Sequence, residues 1–379
     1  MALSKPRVFV VIPNWNARDF VGECLQALER QTLPHEVIIV ENGSTDGSAE
    51  FIRETFPHLQ LLAFPDNAGF AGGVNRGIRP ALEQGADYVV LLNNDAIPAP
   101  DWLECLVRTA ETYPEFGIIT SKIRYLDDSR LDSTGDFYTT WGMPFPRGRS
   151  EVDEGQYDKP DQQVVFGASG GASLYRADML RQIGLFDERF FLYYEDVDIS
   201  FRAQLAGWPV RYAPTAVVRH CIGGTSSRFK NRHGKRNETA TPFSSDTPRP
   251  SSFARYYSAR NFIYLYTKNM PARLFWTYLP LFWVSWALLM ASDLKAGLIM
   301  DNLKANASAL MHLPGVLVDR WRIQRGRRVS TEYIDHLLYH GRPPLQVLRL
   351  RHFFYRLRIF SSPSTNSSGI SPKAEHSNA

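Results

Sequence analysis

Five turns hold most of the residues in this chain whose types and spacing could do chemistry. Pro13-Asn14-Trp15-Asn16 closes the first apolar run, and Glu41-Asn42-Gly43-Ser44-Thr45-Asp46-Gly47-Ser48 closes the second. The second turn combines acceptor oxygens that could read a base and ribose with a helix start whose free amides favour an anion. Asn, Gly and Ser are also what ordinary turns are made of, so this segment alone leaves both readings open. Asn67-Ala68-Gly69-Phe70-Ala71-Gly72-Gly73-Val74-Asn75 is glycine-rich ahead of a helical pattern. It is not a dinucleotide fingerprint, because the glycines do not follow the first strand and the G-x-G-x-x-G spacing is not matched. Missing side chains would still let the backbone approach a sugar or phosphate closely.

The fourth turn is Asn93-Asn94-Asp95, delivered by the apolar run Tyr88–Leu92. A hard divalent cation is usually held by one or two carboxylates together with substrate phosphates, and Asp95 on a strand end could supply one. The competing reading is an Asx turn leading into Pro98. In the fifth, Glu195-Asp196-Val197-Asp198 follows Phe190-Phe191-Leu192-Tyr193-Tyr194. An apolar wall keeps a carboxylate basic, so a general base could sit here, although acids in a first helical turn are also ordinary capping chemistry. His220 follows a strand-like segment and precedes Gly223-Gly224-Thr225. Its imidazole could complete a metal site with Asp95.

These turns need elements to hold them. Apolar, β-branched runs occur at Val8–Ile12, Val37–Val40, Leu59–Phe64 and Tyr88–Leu92. Helical patterns follow them at Asp19–Arg30, Ser48–Phe56, Gly72–Gln84 and Asp101–Tyr113. Such alternation predicts βαβ units and a mostly parallel sheet, with ligands bound beyond the carboxyl ends of the strands. After an irregular middle, Ile123 to Gln163, a strand is expected at Ala172–Tyr175, a helix near Asp196 and a strand pair within Val210–Val218.

Of 379 residues, 44% are hydrophobic and 22% charged, which are globular values, and a net charge of +4 gives no reason to expect nucleic acid. Three cysteines, far apart and without a C-x-x-C pair, suggest neither a disulfide framework nor a cysteine zinc site, as suits a reducing cytosol. The apolar run Val8–Ile12 is too short for a secretory signal.

In this order and spacing, the segments from Arg7 to Thr225 resemble the family 2 glycosyltransferases, in particular bacterial rhamnosyltransferase-like members that build surface polysaccharides. The resemblance implies a GT-A fold at 1–225, with a nucleotide-sugar-binding half (1–122) and an acceptor-binding half (123–225). It implies a nucleoside pocket lined by Pro13, Asn16, Glu41, Asn42 and Asp46, and donor contacts from Asn67, Gly69, Gly72, Asn75, Asn93 and Asn94. It further implies Mg²⁺ or Mn²⁺ on Asp95 and His220, and catalysis by the pair Glu195 and Asp196, with Asp196 the base. The chain departs from the family pattern at Asn93 and Glu41, where Asp is usual. The donor implied is a dTDP- or UDP-sugar, and the acceptor a glycan or polyprenyl-linked glycan.

Beyond a polar linker (226–252), the composition shifts. Leu274–Ser292 has no charged residue, contains Pro280 and precedes an arginine cluster at 320–328. This predicts a helical region (253–330) that lies on or dips into the cytoplasmic face of the cell membrane, the alternative being helices packed on the catalytic domain. A basic helical extension (331–360) and a disordered tail (361–379) complete the expectation. The rival functions are a sugar-phosphate nucleotidyltransferase, which should carry a basic glycine-rich loop after the first strand, and a non-catalytic polysaccharide-assembly protein of the same fold.

Overall fold

Neighbouring residues of the first strand enter different apolar clusters: Val8, Val10 and Ile12 belong to one, Phe9 and Val11 to another. That period of two, with both faces buried, is what a sheet covered by helices on each side requires. The fold is that of a computed structural model, which describes residues 5–221 and 252–343. The expected linker, apart from Ser252, the tail and the extension beyond residue 343 lie outside the described residues.

Strands β1 (Val8–Asn14), β2 (Glu36–Asn42), β3 (Gln60–Phe64) and β4 (Tyr88–Leu92) pair in parallel in the order β3-β2-β1-β4. Helices α1 (Val21–Glu29), α2 (Ser48–Thr55) and α3 (Gly69–Glu83) connect them. The short β5 (Ala96–Pro98) and helix α4 (Trp102–Thr112) then lead to β6 (Ile118–Tyr125). Small pieces follow: β7 (Leu131–Ser133), β8 (Asp136–Tyr138), β9 (Pro144–Pro146) and β10 (Val164–Val165). β11 (Ala172–Arg176) runs antiparallel between β4 and β6. Helices α5 (Ala177–Ile183) and α6 (Glu195–Leu205) precede β12 (Val210–His220), which is parallel to β6. β1, β2, β3, β4, β6 and β12 therefore share one direction, so the sheet is mostly parallel, and their carboxyl ends define one edge.

Instead of a strand pair within Val210–Val218, one strand runs from Val210 to His220. Its register shifts between Ala213 and Val217, around Pro214, where no amide is available for the ladder. Beyond the bulge β12 stays paired with β6 and also pairs with β5, setting His220 opposite Ala96.

Helices α7 (Ser252–Asn269), α8 (Ala272–Ala296), α9 (Ile299–Arg325) and α10 (Thr331–Leu337) follow. α8 passes through Pro280 without a break, and it is the one described helix long and apolar enough to cross a membrane. The helices do not merely trail the α/β unit. Phe262, Leu265, Tyr266, Leu274, Phe282 and Ile334 form a third apolar cluster with Tyr138, Phe166, Val197 and Phe201.

A buried charge clamp reinforces that contact. Lys268 Nζ lies 2.7 Å from Asp187 Oδ2 and 2.9 Å from Asp198 Oδ2, and Arg202 Nε also bonds Asp198 at 2.9 Å. Burial works against both carboxylates. For Asp187 the Arg189 bond and the Lys268 ammonium outweigh it, and for Asp198 Lys268 and Arg202 do, so both carboxyls titrate below the ordinary value of 3.8. A depressed folded pKa gives stability that is present above the unfolded pKa and lost as pH falls through the folded one. The urea midpoint should therefore drop as pH falls below about 4. Lys268→Met should cost about 3–5 kcal/mol at neutral pH and flatten the acid limb. Superimposable profiles for variant and parent would show that the clamp contributes nothing.

Candidate active site

The carboxyl ends of β1, β2 and β4 meet at a cleft of about 340 Å³. Pro13, Asn14 and Trp15 line it from β1, Asn42 from β2, Asn67, Gly69 and Phe70 from the glycine-rich turn, and Asn93, Asn94 and Asp95 from β4. His220 closes one side, and Phe191, Leu192, Tyr193 and Phe253 form an aromatic wall on another. The size suits a small-molecule ligand.

Asn14, which carried no assignment in the sequence reading, is a hub of the polar floor. It is fully buried, donates to Glu41 Oε2 at 2.7 Å and accepts from Asn94 Nδ2 at 3.0 Å, tying three strand ends together. Glu41 is 3% exposed and accepts from Asn14, Ser48 and the Ser44 amide. It shapes the turn and does not line the cleft. Asn16 and Asp46 also lie outside the lining and brace this turn: Asn16 Oδ1 accepts from the Thr45 amide, and Asp46 from the amides of Arg18 and Ser48.

Asn42 orders the third turn by donating to Asn67 Oδ1 at 3.1 Å and the Gly69 carbonyl at 2.9 Å. Gly69 has φ +72°, and a Cβ there would sit 2.3 Å from the Phe191 carbonyl oxygen, so only glycine lets the two loops meet. Gly72 is absent from the lining; a Cβ on it would collide with Ala68. Asn75, expected at the donor, is 1% exposed and bonds the Phe186 amide and carbonyl and Glu188 instead. Its amide satisfies buried backbone from a facing loop, a demand that a polar residue in a glycine-rich turn does not announce.

The pairing of Ala96 with His220 explains why two residues 125 apart in sequence are neighbours. His220 Nε2 lies 3.1 Å from Asp95 Oδ1, and Nδ1 lies 2.9 Å from Asp132 Oδ2. Asp132 in turn pairs with Arg149 at 2.7 Å. Burial opposes charge on the ring, but the Asp95 carboxylate and the bond to Asp132 raise its pKa to about 10. Asp132 lies in β7, in the irregular middle of the sequence, where nothing in the pattern marks it.

This arrangement has the parts of a divalent-cation site: a carboxylate and an imidazole at a cleft wall, and an outer carboxylate that fixes the ring tautomer. Among the described residues, no three His, Cys, Asp or Glu side chains converge on one point. An ion there would need oxygen ligands from its substrate, as Mg²⁺ commonly does with phosphates.

Glu195 and Asp196 begin α6 just outside the cleft lining. A Cβ on Gly170 would touch both Asp196 and the cleft residue Phe70, so the half-buried Asp196 stands beside that part of the lining. Its oxygens accept from the Gly170 amide at 3.0 Å and the Val197 amide at 2.8 Å. Burial raises its pKa, and these amides restrain the rise. Asp136, buried beside it, is pushed up to about 7 by burial and by the charge of Asp196. Glu195 is pushed well above the usual range by burial and by Asp196, and its Oε2 has no hydrogen-bond partner among the described residues. The group thus separates a carboxylate stabilised by backbone amides from neighbours that favour their protonated forms.

The family model for glycosyl transferase family 2 matches residues 9–184. The chain is 31% identical over 238 residues to the N-acetylglucosaminyl-diphospho-decaprenol L-rhamnosyltransferase of Mycobacterium tuberculosis, covering 58% of this chain and 76% of that one. It is 30% identical over 232 residues to the galactofuranosyltransferase GlfT1 of the same species, covering 59% and 72%. Among solved structures, GalNAc-T7 with UDP, GalNAc and Mn²⁺ superposes with a TM-score of 0.53 at 13% identity, over 79% of this chain and 55% of that one. At that identity the likeness speaks to the fold alone, which is GT-A-like. The sheet, the cleft at its carboxyl edge and the similarity over most of two characterised transferases agree: this chain is a glycosyltransferase and belongs to family 2.

Proposed function

We propose that this enzyme is an inverting, metal-dependent glycosyltransferase that moves a sugar from a nucleotide-sugar donor to a hydroxyl of a lipid-linked glycan in cell-surface polysaccharide synthesis. The observation that carries the reading is the cleft edge itself, where Asp95 and His220 stand 3.1 Å apart at one wall and the half-buried Asp196 stands beside another. The two mycobacterial relatives support glycosyl transfer, and the rhamnosyltransferase's name supports a polyprenyl-diphosphate acceptor.

Trp15 offers an aromatic face and Asn67 and Asn93 offer amides to a nucleotide sugar in the cleft. Asp95 and His220 would hold Mg²⁺ or Mn²⁺ against the donor's diphosphate. When bound, that ion neutralises charge growing on the leaving group. With Nδ1 of His220 held by Asp132, Nε2, which faces Asp95 at 3.1 Å, would give up its proton to bind the ion. Asp196 takes the proton from the acceptor hydroxyl, which attacks the anomeric carbon opposite the nucleotide. One displacement inverts the configuration. A thermal-shift panel of dTDP- and UDP-sugars with Mn²⁺ tests the binding half of this account. One nucleotide family should stabilise the protein more strongly with the metal present than without it, and no stabilisation by any member would count against it.

The lipid-linked acceptor gives the C-terminal helices a role at the cytoplasmic face of the membrane. Trp276, Trp283 and Leu294 on α8 and Leu310, Met311 and Trp321 on α9 are between 52% and 74% exposed. Apolar exposure of this extent marks an interaction surface, and tryptophans favour the headgroup region. Lys295, Lys304, Arg322 and Arg325 lie on the same two helices, a charge suited to anionic lipid. Changing Trp276, Trp283 and Trp321 together to Ser should weaken binding to anionic vesicles by about tenfold or more. Unchanged co-sedimentation would reject a peripheral membrane role.

A further inference from the structure

The turn before Glu195 is held in a conformation that its own residues disfavour. Phe191, Tyr193 and Tyr194 have φ of 62°, 71° and 70°, in a region that side-chain-bearing residues rarely adopt. Such backbone persists only where its surroundings over-determine it, and it concentrates at functional sites. Within the catalytic unit, the Phe191 amide donates to the Glu188 carbonyl at 3.1 Å, the Phe191 carbonyl accepts from the Ala71 amide at 3.2 Å, and the Tyr194 carbonyl accepts from the Asp198 amide at 2.9 Å.

Further anchors come from α7. Asn261 is fully buried, and its side-chain NH₂ faces the carbonyls of Phe190, Leu192 and Tyr193 at 2.8, 2.9 and 2.8 Å. Three acceptors around one nitrogen fix the amide orientation, and its oxygen is occupied by Arg260 Nε at 3.1 Å. Arg260 also donates to the carbonyls of Arg189 and Phe190. Tyr257 stacks on Phe191 with ring centres 4.8 Å apart and planes 16° from parallel. One turn of α7 therefore meets both the strained segment and the aromatic wall of the cleft.

We infer that Asn261 is a positioning residue for the transfer reaction: through the left-handed turn at 190–194 it sets where Asp196 and the Phe191–Tyr193 wall stand relative to the cleft. The inference rests on Asp196 acting as the base. It makes the C-terminal helices part of the catalytic centre as well as a membrane platform. The consequence for regulation is physical: α7 also pairs Arg255 with Asp293 of α8 at 2.7 Å, so the lipid-facing helix and the acidic turn are joined through one rigid element.

Asn261→Asp tests this, because it keeps the shape and replaces the donor by an oxygen facing three carbonyls. Turnover with an N-acetylglucosaminyl-diphospho-polyprenol acceptor should fall roughly 100-fold, the scale of a 1 Å misplacement. Affinity for the Mn²⁺ complex of dTDP or UDP, whichever the donor panel selects, should stay within about threefold. Leu274→Ala, in the same apolar cluster on α8, serves as the comparison for mere loosening and should lose stability without that split. If the Asp variant does not fold, Asn261→Ser, which retains one donor, carries the same comparison. Hydrogen exchange supplies a readout independent of activity. The amides of Ala71 and Asp198 should exchange faster in the variant while those of β1 and β4 do not change. Turnover retained in the variant, or lost in proportion to donor affinity, would overturn the proposal. So would unchanged exchange at Ala71 and Asp198. An inactive parent enzyme would instead sink the functional reading, leaving the exchange result to decide the structural one.

Discussion

Asp196→Asn should abolish transfer while leaving donor binding nearly intact. Asn cannot accept the acceptor's proton, and removal of a positioned general base costs roughly 10²–10⁴-fold in rate. Isothermal titration with the Mn²⁺–nucleotide complex, run beside steady-state turnover, separates the two effects. The substitution is not neutral locally, since the amide nitrogen would face one of the backbone N–H groups of Gly170 or Val197 that the carboxylate now satisfies. Asp196 is not among the residues that line the cleft, however, so that cost should appear in the melting temperature and not in donor affinity. Parallel loss of binding and turnover would show that Asp196 builds the cleft and does not take the proton.

Asp95→Ala should have the opposite signature. Metal-dependent donor binding should fall by about 100-fold or more, because several kcal/mol of charge stabilisation are at stake and each 1.4 kcal/mol is a factor of ten. Residual metal-independent binding of the nucleoside part should survive, since Pro13, Trp15 and Asn42 remain in the lining. Titrating Mn²⁺ against a fixed nucleotide concentration checks this. A variant whose donor affinity responds to Mn²⁺ as the parent's does would remove Asp95 from the metal site.

The strands that hold these residues were legible because β1, β2 and β4 bury both faces and so appear as continuous β-branched runs. Turn positions followed from the strand ends, and Pro13, Asn42, Asn67, Gly69, Asn93, Asn94, Asp95 and His220 do line one cleft. What the sequence hid was tertiary. Asn75 and Glu41 are polar residues in suggestive turns whose bonding capacity is consumed by buried neighbours. Asp132 reaches His220 only because β7 folds back along β6. α7 was the largest omission: Arg255, Arg260, Asn261, Lys268 and Asn269 lay within the region expected at the membrane, carried no assigned role, and are buried against the acidic turn and its neighbours. Local pattern reports which residues are polar; it does not report which distant backbone they satisfy. That is also why the apolar α8 suggested a membrane segment without revealing that its helical neighbours complete the catalytic unit.

The central claim is metal-dependent sugar transfer to a lipid-linked acceptor, and one assay addresses it directly. Purified enzyme, Mn²⁺, a radiolabelled nucleotide sugar from the stabilising family and N-acetylglucosaminyl-diphospho-decaprenol should yield labelled lipid with inverted anomeric configuration. Chelation of the metal should suppress that product. Labelled lipid formed equally well in excess chelator, or product of retained configuration, would contradict the account of Asp95, His220 and Asp196 given above.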